Sequence, residues 1–338
     1  MEATEVVLPG VVEPSGLQLR TRELPPAGPG QALVTVEASG VSFAEQAMRR
    51  GRYPGQPKFP FVPGYDVVGI VHSVGADVDA SLVGQRVAAM TKTGGWATHL
   101  VLPAGDLVAV PDGLDPGDAE TLVVNGVTAW QMLHRTARVR PGQTILVHGA
   151  NGGVGVTLAQ LARLDGIRVI GTANRRHHDA LRAFGVIPLD HQDPRLAERI
   201  RELAPGGVDA AFDNLGGVHL TRAWRLLAPG GALVCYSIAA HESGPMVPAF
   251  LVTLARLGLW NVLPNGKRAS FYDLWSGRRD RAAFQSRTRK DLTTVLTLLA
   301  EGRITAQVAA RVPLARIGEA MTLAEARAVP GKVVVVPA

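Results

Sequence analysis

A glycine-rich string, HGANGGVG (148–155), is the stretch of this chain whose residue types point most directly to chemistry. An apolar run, TILV, precedes it, and a run with helical periodicity, VTLAQLARL, follows it. A joint between a strand and a helix directs backbone N–H groups and the positive end of the helix dipole at one spot. Glycine there lets a pyrophosphate approach without a Cβ in the way. The string therefore predicts a dinucleotide site, with an ordinary tight turn as the alternative.

The match to the dinucleotide pattern G-x-G-x-x-G is imperfect, because an alanine stands in the first glycine place. The three places are held by Ala150, Gly152 and Gly155. We expect the backbone at the start of the helix to wrap the pyrophosphate. The residues expected there are Gly152, Gly153, Val154 and Gly155.

The residues after the second strand, RVIGTA (168–173), indicate which dinucleotide binds. An NAD site usually has Asp or Glu there, about 20 residues beyond the loop, for the ribose hydroxyls. This chain has Asn174, Arg175 and Arg176. Guanidinium groups bind a 2′-phosphate, which a carboxylate would repel. The pattern predicts NADPH rather than NADH, with two exposed arginines opening a helix as the alternative.

The elements that must position these residues change character near residue 121. Before it, short strand-like runs punctuated by Gly, Pro and Asp predict a β-barrel or sandwich. After it, strands alternate with helical runs, which predicts a parallel, doubly wound sheet. The tail, KVVVVP (332–337), reads as a strand that returns to the first domain. We therefore predict one domain over 1–120 completed by 276–338, and a cofactor-binding domain over 121–275.

Composition excludes several classes of protein. Of 338 residues, 46% are hydrophobic and 19% charged, as in a globular protein. The net charge of +6 comes from scattered Lys and Arg, so we expect no nucleic-acid partner. No apolar window is long enough to span a membrane, and no secretory signal is visible. Cys235 is the only cysteine, which fits a cytoplasmic protein and excludes zinc sites built on several cysteines.

Several stretches in order along the chain resemble the medium-chain dehydrogenase/reductase superfamily, and within it the zinc-independent quinone oxidoreductase branch. They are GVSFAEQAMRRGRYPGQPKFPFVPGYDVVGIVHSVG, VVNGVTAW, HGANGGVG, VDAAFDNLGG and GKVVVVP. VSFAE and TANRRHHDAL are most similar to the synaptic-vesicle-membrane-protein-like subgroup. The resemblance implies an α/β fold with a Rossmann domain and a GroES-like β-barrel domain, and a homodimer.

The chain departs from zinc alcohol dehydrogenases at their metal ligands. Where those enzymes have a cysteine it reads Val41–Ser42, and where they have a His-Glu pair it reads Tyr65–Asp66. Their four-cysteine structural lobe has no counterpart. The adjacent His177 and His178 are expected to be exposed, and no histidine spacing predicts a ligand set. We therefore predict no metal.

The resemblance also implies catalytic residues, each with a structural alternative. Tyr53 matches a tyrosine that donates to the substrate oxygen, or else is a barrel tyrosine. Asn125 and Thr128 match an N-x-x-T beside nicotinamide and substrate, although Thr128 could cap a helix instead. Ser42 stands where many relatives have asparagine near the nicotinamide. Tyr65 lines the pocket or packs in the core.

On the cofactor side, the residues expected near the 2′-phosphate are Asn174, Arg175 and His177. His191 takes the place of a tyrosine that relatives use against the adenosine end. Asn214 and Ser237 follow the next two strands, and ligands bind at the carboxyl ends of parallel strands.

The predicted function is NADPH-dependent hydride transfer to a quinone or to the C=C bond of an α,β-unsaturated carbonyl. One alternative is an enoyl reductase of polyketide or secondary metabolism, for which the long stretch 241–280 could line a roomier pocket or form a subunit contact. Another is a non-catalytic NADPH-binding scaffold.

Overall fold

The computed structural model describes residues 1–239, 241, 246–326 and 328–337. The chain divides into two compact units. The first unit comprises residues 1–127 with 277–338, and the second comprises residues 128–276. The division falls inside a helix, seven residues beyond the boundary that the change of sequence pattern suggests at 120.

The first unit contains most of the antiparallel β-structure. Its elements are β1 (Glu2–Val7), β2 (Gln18–Glu23), β3 (Gln31–Val41), α1 (Phe43–Arg49), β4 (Asp66–Val74), β5 (Arg86–Met90), β6 (His99–Pro103), β7 (Val108–Ala109) and α2 (Pro116–Trp130), whose last turn belongs to the second unit.

The second unit alternates strands and helices. Its elements are β8 (Thr144–His148), α3 (Gly153–Leu164), β9 (Arg168–Ala173), α4 (His178–Ala183), β10 (Val186–Asp190), α5 (Leu196–Leu203), β11 (Val208–Asp213), α6 (Gly217–Leu226), β12 (Leu227–Cys235), α7 (Met246–Asn261) and β13 (Arg268–Phe271). The chain then returns to the first unit with α8 (Arg281–Ala300), β14 (Val308–Pro313), α9 (Ile317–Ala326) and β15 (Lys332–Val336).

A seven-stranded sheet in the order β14-β15-β3-β4-β5-β7, with β6 also paired to β3, forms the barrel-like body of the first unit. Its core holds the apolar side chains of alternating residues, such as Val34, Val67 and Val87, all almost fully buried. The tail strand β15 pairs antiparallel with β3, Val334 opposite Gly40. The tail strand β15 therefore lies in the sheet of the first unit.

The second unit is a six-stranded sheet in the order β10-β9-β8-β11-β12-β13, with every neighbouring pair parallel. Ile145, Leu146 and Val147 of β8 are completely buried, as expected for a central strand covered on both faces. The strand order reverses between β8 and β11. In a doubly wound sheet a ligand binds at the carboxyl ends of the strands at this reversal. The predicted Rossmann sheet is confirmed.

The structure corrects the start of one predicted helix. The helix predicted to begin near Thr128 begins at Pro116, where the Asp115 carboxylate accepts the Asp118 N–H at 2.9 Å. The valines that hide this helix in the sequence are buried, so tertiary packing outweighs their low helix propensity. The basic residues within 281–291 lie in the first half of α8, whose N-terminus is capped by Asp280. Among the described helices, none has the length and apolarity needed to cross a membrane.

Candidate functional site

The glycine-rich loop between β8 and α3 is shaped by close backbone approaches. We call residues 149–155 the glycine cradle. Gly149 has φ +64°, and a Cβ on Gly155 would lie 2.6 Å from the Gly149 carbonyl oxygen. The helix can therefore pack onto the loop only with glycine at 155. Ala150 is tolerated in the first glycine place because its methyl group faces Gly171 of β9, where a Cβ would come within 2.7 Å of it.

The cradle leaves space and polar groups for a ligand. A Cβ on Gly152, the N-cap of α3, would meet only the Gly149 carbonyl oxygen within 4 Å, at 3.3 Å. The first amides of a helix have no intrahelical acceptor, so they are donors for an anion. Asn214, directly after β11, packs against Gly149, and its Oδ1 is buried with no hydrogen-bond partner among the described residues. These donors and this acceptor fit the phosphates and a hydroxyl of a dinucleotide.

A buried His–Asp pair lies beneath the cradle and was missed in the sequence. Nδ1 of His148 donates to Oδ2 of Asp213 at 2.7 Å, and Oδ1 of Asp213 accepts the Gly216 N–H at 2.6 Å. Both side chains are at least nine-tenths buried. The pair joins the ends of β8 and β11 and so fixes Asn214. The only sequence signal for this pair was its position, because His148 directly precedes the glycine cradle and Asp213 directly precedes Asn214.

The segment after β12 runs beside Asn214. The Ala239 N–H donates to the Asn214 carbonyl oxygen at 2.9 Å, and Ser237 lies two residues before Ala239. The Ser237 carbonyl oxygen accepts from the buried Cys235 thiol at 3.3 Å. Residues 240 and 242–245, part of the stretch predicted to line a larger pocket, lie outside the described residues.

The residues predicted to bind the 2′-phosphate form one turn after β9. The Asn174 side chain accepts the Arg176 N–H at 3.1 Å and so caps the turn. The side chain of Arg175 is 79% exposed, and its Nε donates to Oδ2 of Asp190 at 2.6 Å. The predicted cation is therefore already paired with a carboxylate, which the sequence did not reveal.

His177 does not have the exposure predicted for it. Its side chain is buried, and its Nε2 accepts from Nε of Arg176 at 3.0 Å. Burial, together with the neighbouring Arg176 charge, lowers the pKa of His177. Packing of the turn against the sheet overrides the polarity of this residue. His191 is partly exposed, with its Nδ1 3.8 Å from Oδ1 of Asp190.

Two tyrosines in the first unit share a hydrogen bond. The hydroxyl oxygens of Tyr53 and Tyr65 lie 2.5 Å apart, and the rings meet edge to face. Tyr65 is almost fully buried, whereas Tyr53 is partly exposed. Tyr65 thus packs in the core, as one prediction had it, and also contacts the other predicted catalytic tyrosine.

Ser42 caps α1 in a capping box. Its hydroxyl accepts the Ala44 N–H at 3.1 Å and donates to the Glu45 carboxylate, which also accepts the Ser42 N–H. The other Glu45 oxygen accepts the Tyr65 N–H at 2.7 Å. Ser42 and Tyr65 are therefore held by one buried glutamate.

Behind these residues lies a set of buried charges that we call the charge cluster, comprising Glu45, Asp66, Glu120 and Lys332. Nζ of Lys332 lies 2.7 Å from Oδ2 of Asp66 and 2.5 Å from Oε1 of Glu120. Burial alone would lower the pKa of Lys332, but the two carboxylates raise it above its ordinary value. Burial raises the pKa of Glu120 well above the ordinary range. One ammonium faces three carboxyl groups, so a neutral Glu120 relieves the excess negative charge.

The charge cluster also holds α2, which carries two predicted catalytic residues. Oδ2 of Asp66 accepts the Val124 N–H at 3.2 Å, next to Asn125. Thr128 is buried one turn further along. Because α2 begins at Pro116, Thr128 lies inside the helix, and its predicted alternative role as a helix cap is wrong.

The donor groups in the described part of the chain do not include a metal-binding set. No three His, Cys, Asp or Glu side chains there are grouped so that they could hold an ion. The cation that faces Asp66 and Glu120 is the ammonium of Lys332.

Comparison with known proteins defines the class. Residues 28–112 match the alcohol dehydrogenase GroES-like domain family, and residues 183–335 match the zinc-binding dehydrogenase family. With the Rossmann sheet and the barrel-like first unit, these matches show that the chain belongs to the medium-chain dehydrogenase/reductase superfamily. Within it, the chain is a member of the zinc-independent quinone oxidoreductase-like group, near the synaptic vesicle proteins.

Individual relatives span most of the chain. The synaptic vesicle membrane protein VAT-1 homolog of Rattus norvegicus is 31% identical over 331 residues, covering 95% of this chain and 80% of the relative. A mycobacterial protein solved in complex with NADPH is 30% identical, with a TM-score of 0.85 over 99% of this chain and 100% of its own. The quinone oxidoreductase of Pseudomonas syringae pv. Tomato DC3000 is 26% identical, with a TM-score of 0.86 over the same shares.

Proposed function

We propose that this protein is an NADPH-dependent, zinc-independent reductase that transfers hydride to a quinone or to the C=C bond of an α,β-unsaturated carbonyl. The observation that carries the proposal is the open glycine cradle at the strand-order reversal, beside the unpartnered Oδ1 of Asn214. The NADPH complex of the mycobacterial neighbour and the activity named for the Pseudomonas neighbour support it.

The second unit holds the cofactor in this proposal. The amides of Gly153, Val154 and Gly155 bind the pyrophosphate, and Oδ1 of Asn214 accepts a hydrogen bond from a ribose hydroxyl. The Gly152 N–H donates to the Gly149 carbonyl oxygen at 3.0 Å, so Gly152 contributes by leaving space for the phosphates. Arg175 binds the 2′-phosphate through its exposed guanidinium edge, with Asn174 and His177 shaping the turn around it. His191 packs against the adenosine end, and Ser237 borders the segment beside Asn214.

The proposal also assigns hydrogen-bond donors for the acceptor. Bound NADPH supplies the hydride, and negative charge then develops on the carbonyl oxygen of the acceptor. Tyr53, the more exposed tyrosine, donates to that oxygen while Tyr65 donates to Tyr53 and stabilises the phenolate if the proton moves. Asn125 and Thr128 orient the reacting groups. The Ser42 hydroxyl hydrogen is engaged by Glu45, so Ser42 acts mainly through the start of α1.

Conjugate reduction suits this set of residues better than alcohol oxidation. Zinc enzymes stabilise an alkoxide with the metal as Lewis acid. At the corresponding positions this chain has Ser42 and Tyr65, which offer neither thiolate nor imidazole. A phenol hydrogen bond to a developing enolate or hydroquinone oxygen needs no metal.

The test is NADPH consumption by the purified protein with 9,10-phenanthrenequinone and a panel of enones. We expect turnover with at least one of them, and NADPH to bind more tightly than NADH. Arg175→Asp should remove that preference while leaving NADH binding unchanged. Turnover confined to long acyl enones would favour a pathway-specific enoyl reductase. Tight NADPH binding with no turnover on any acceptor would favour the scaffold.

We also propose that the protein is a homodimer. Strand β13 is an edge strand of the six-stranded sheet, and α7 packs against it. Helix α7 and the turn after it expose large apolar side chains, among them Val247, Leu251, Leu259 and Val262. An exposed apolar patch of this kind marks a contact surface. Light scattering on the wild type should give twice the mass of one chain. The variant Leu251→Glu should have the mass of a monomer. A monomeric wild type would refute the proposal.

A further inference from the structure

The parallel pairing of β9 and β10 brings an anion to the predicted phosphate-binding cation. Asp190, the last residue of β10, stands opposite Ala173, the last residue of β9, and Arg175 follows two residues later. Oδ2 of Asp190 accepts from Nε of Arg175 at 2.6 Å, and Oδ1 accepts the Gln192 N–H at 3.0 Å. Within the described part of the chain, no other nitrogen of the Arg175 guanidinium is engaged.

We propose that Asp190 is a specificity-determining residue that competes with the 2′-phosphate of the cofactor for Arg175. Its carboxylate occupies one edge of the guanidinium and leaves the Nη edge for the phosphate. The carboxylate therefore lowers the affinity for NADPH and leaves that for NADH unchanged, which narrows the preference between the two cofactors. This inference rests on the proposed function, because it requires Arg175 to bind the 2′-phosphate.

Asp190 has two opposing effects on NADPH affinity. It orients Arg175, which favours binding, and it repels the 2′-phosphate, which disfavours binding, so the larger of the two effects decides whether Asp190 raises or lowers the affinity. Orienting an arginine that is 79% exposed contributes little, since exposed ion pairs alter an equilibrium by at most about fivefold. A phosphate monoester carries a charge of about −1.5 to −2. Two anions on opposite edges of one guanidinium lie within about one screening length of each other, so their repulsion is only partly screened. Asparagine at 190 keeps one carbonyl oxygen, which can accept the Gln192 N–H, but its NH2 group cannot accept from Arg175. The substitution therefore removes both the orienting contact and the repulsion, and the repulsion, as the larger effect, decides the outcome.

The chain contains a close control for this substitution. Asp193 lies on the same loop, is equally buried (16% exposed, against 15% for Asp190) and shares two kinds of partner with Asp190, an arginine Nε and a backbone N–H. Asp190 differs in that its Oδ1 also lies 3.8 Å from Nδ1 of His191. Oδ1 of Asp193 accepts the Arg195 N–H at 2.8 Å, and its Oδ2 accepts from Nε of Arg199 at 2.7 Å. Asp193→Asn removes the same charge and breaks the same type of ion pair, but not the pair with Arg175.

The experiment compares dissociation constants of NADPH and NADH for the wild type, Asp190→Asn and Asp193→Asn, by fluorescence titration at low and high salt. Asp190→Asn should tighten NADPH binding about three- to tenfold, leave NADH unchanged, and lose most of this gain at 0.5 M salt. Asp193→Asn should leave the ratio of the two constants unchanged. An unchanged or lower NADPH preference in Asp190→Asn, or an equal gain in Asp193→Asn, would overturn the inference.

Failure of the inference and failure of the proposed function give different results. If the wild type does not prefer NADPH and Arg175→Asp changes nothing, the proposed phosphate site is wrong, and the inference is overturned with it. If the wild type prefers NADPH through Arg175 but Asp190→Asn does not widen the preference, only the inference is wrong. Asp190→Ser, whose hydroxyl keeps an acceptor for the Gln192 N–H, replaces Asp190→Asn if that variant does not fold; it should widen the preference as well, and failure to do so counts against the inference.

Discussion

The glycine cradle and the charge cluster both position predicted site residues, but they do so by opposite means. The cradle works through small size and backbone amides, and a close approach that shapes it joins Gly149 and Gly155, which are six residues apart. The charge cluster works through long-range side-chain contacts, since Lys332 meets Asp66 and Glu120 from 266 and 212 residues away. One region is a local motif, and the other exists only in the folded chain.

The comparison implies different sensitivities to mutation. A steric change in the cradle should affect mainly the ligand, because the loop is at the surface end of the sheet. A charge change in the cluster should affect mainly the fold, because every member is buried. Variants in each region can therefore test whether ligand binding and stability respond in these different ways.

The largest effect is expected for Lys332→Met, which removes the ammonium and leaves the buried carboxylates without a cation. Breaking a buried ion pair from one side destabilises a protein by about 3–5 kcal/mol. Urea unfolding should show a loss of this size in the free energy of unfolding. Arg311→Met, at an exposed ion pair with Asp115, is the control and should lose less than about 1 kcal/mol. A Lys332→Met protein as stable as the control would show that the cluster does not support the fold.

The next largest effect is expected for Tyr53→Phe. If Tyr53 donates to the acceptor oxygen, kcat should fall about a hundredfold with the dissociation constant of NADPH unchanged. Tyr65→Phe should lower kcat less, by about tenfold, because it acts through Tyr53. Tyr272→Phe, which removes a hydroxyl bonded to Gln131 in the second unit, is the control. Equal kcat values for Tyr53→Phe and wild type would refute the catalytic role of the pair.

A smaller effect on stability, combined with a loss of cofactor binding, is expected for Gly155→Ala. The new methyl group would lie 2.6 Å from the Gly149 carbonyl oxygen and 2.8 Å from the Ala150 Cα, so the cradle must move. Overpacking of this kind destabilises by about 1–3 kcal/mol. NADPH affinity should fall at least tenfold in a fluorescence titration. Gly206→Ala, whose Cβ would meet nothing within 4 Å, should change neither quantity.

The contrast also explains what the sequence could predict. The alternation of strands and helices and the glycine cradle were predictable because both are encoded in runs of about ten residues. The charge cluster was not, because no local pattern shows that Lys332 meets Asp66 until β15 is paired with β3. The same holds for Arg175, which reads as a free cation in sequence and is paired with Asp190 through the neighbouring strand.

Burial explains the remaining differences between the sequence-based predictions and the structure. His177 has a polar, basic neighbourhood in sequence, yet packing of its turn buries it. Residues 116–127 were not predicted to belong to the helix near Thr128, because Val123, Val124 and Val127 have low helix propensity and only their burial favours the helix. Both errors arise where tertiary packing outweighs local propensity.

The smallest expected effect tests the protonation of the charge cluster. Because burial raises the pKa of Glu120, the folded state retains a proton that the unfolded state releases above about pH 4.5. The stability that this proton gives is complete below that pH and is lost as the pH rises through the folded pKa. Glu120→Gln mimics the protonated form, so we expect it to change the free energy of unfolding by less than about 1 kcal/mol at pH 4.

Above about pH 4.5 the two proteins should then diverge. The free energy of unfolding of the wild type should fall relative to Glu120→Gln, and the difference should become constant above the folded pKa. Glu319→Gln provides a control of opposite sign, because Arg316 lowers the pKa of the exposed Glu319 and any effect appears only as the pH falls. If the difference between wild type and Glu120→Gln does not depend on pH, Glu120 is ionised in the folded protein. The Lys332 ammonium would then balance the carboxylates without a retained proton on Glu120.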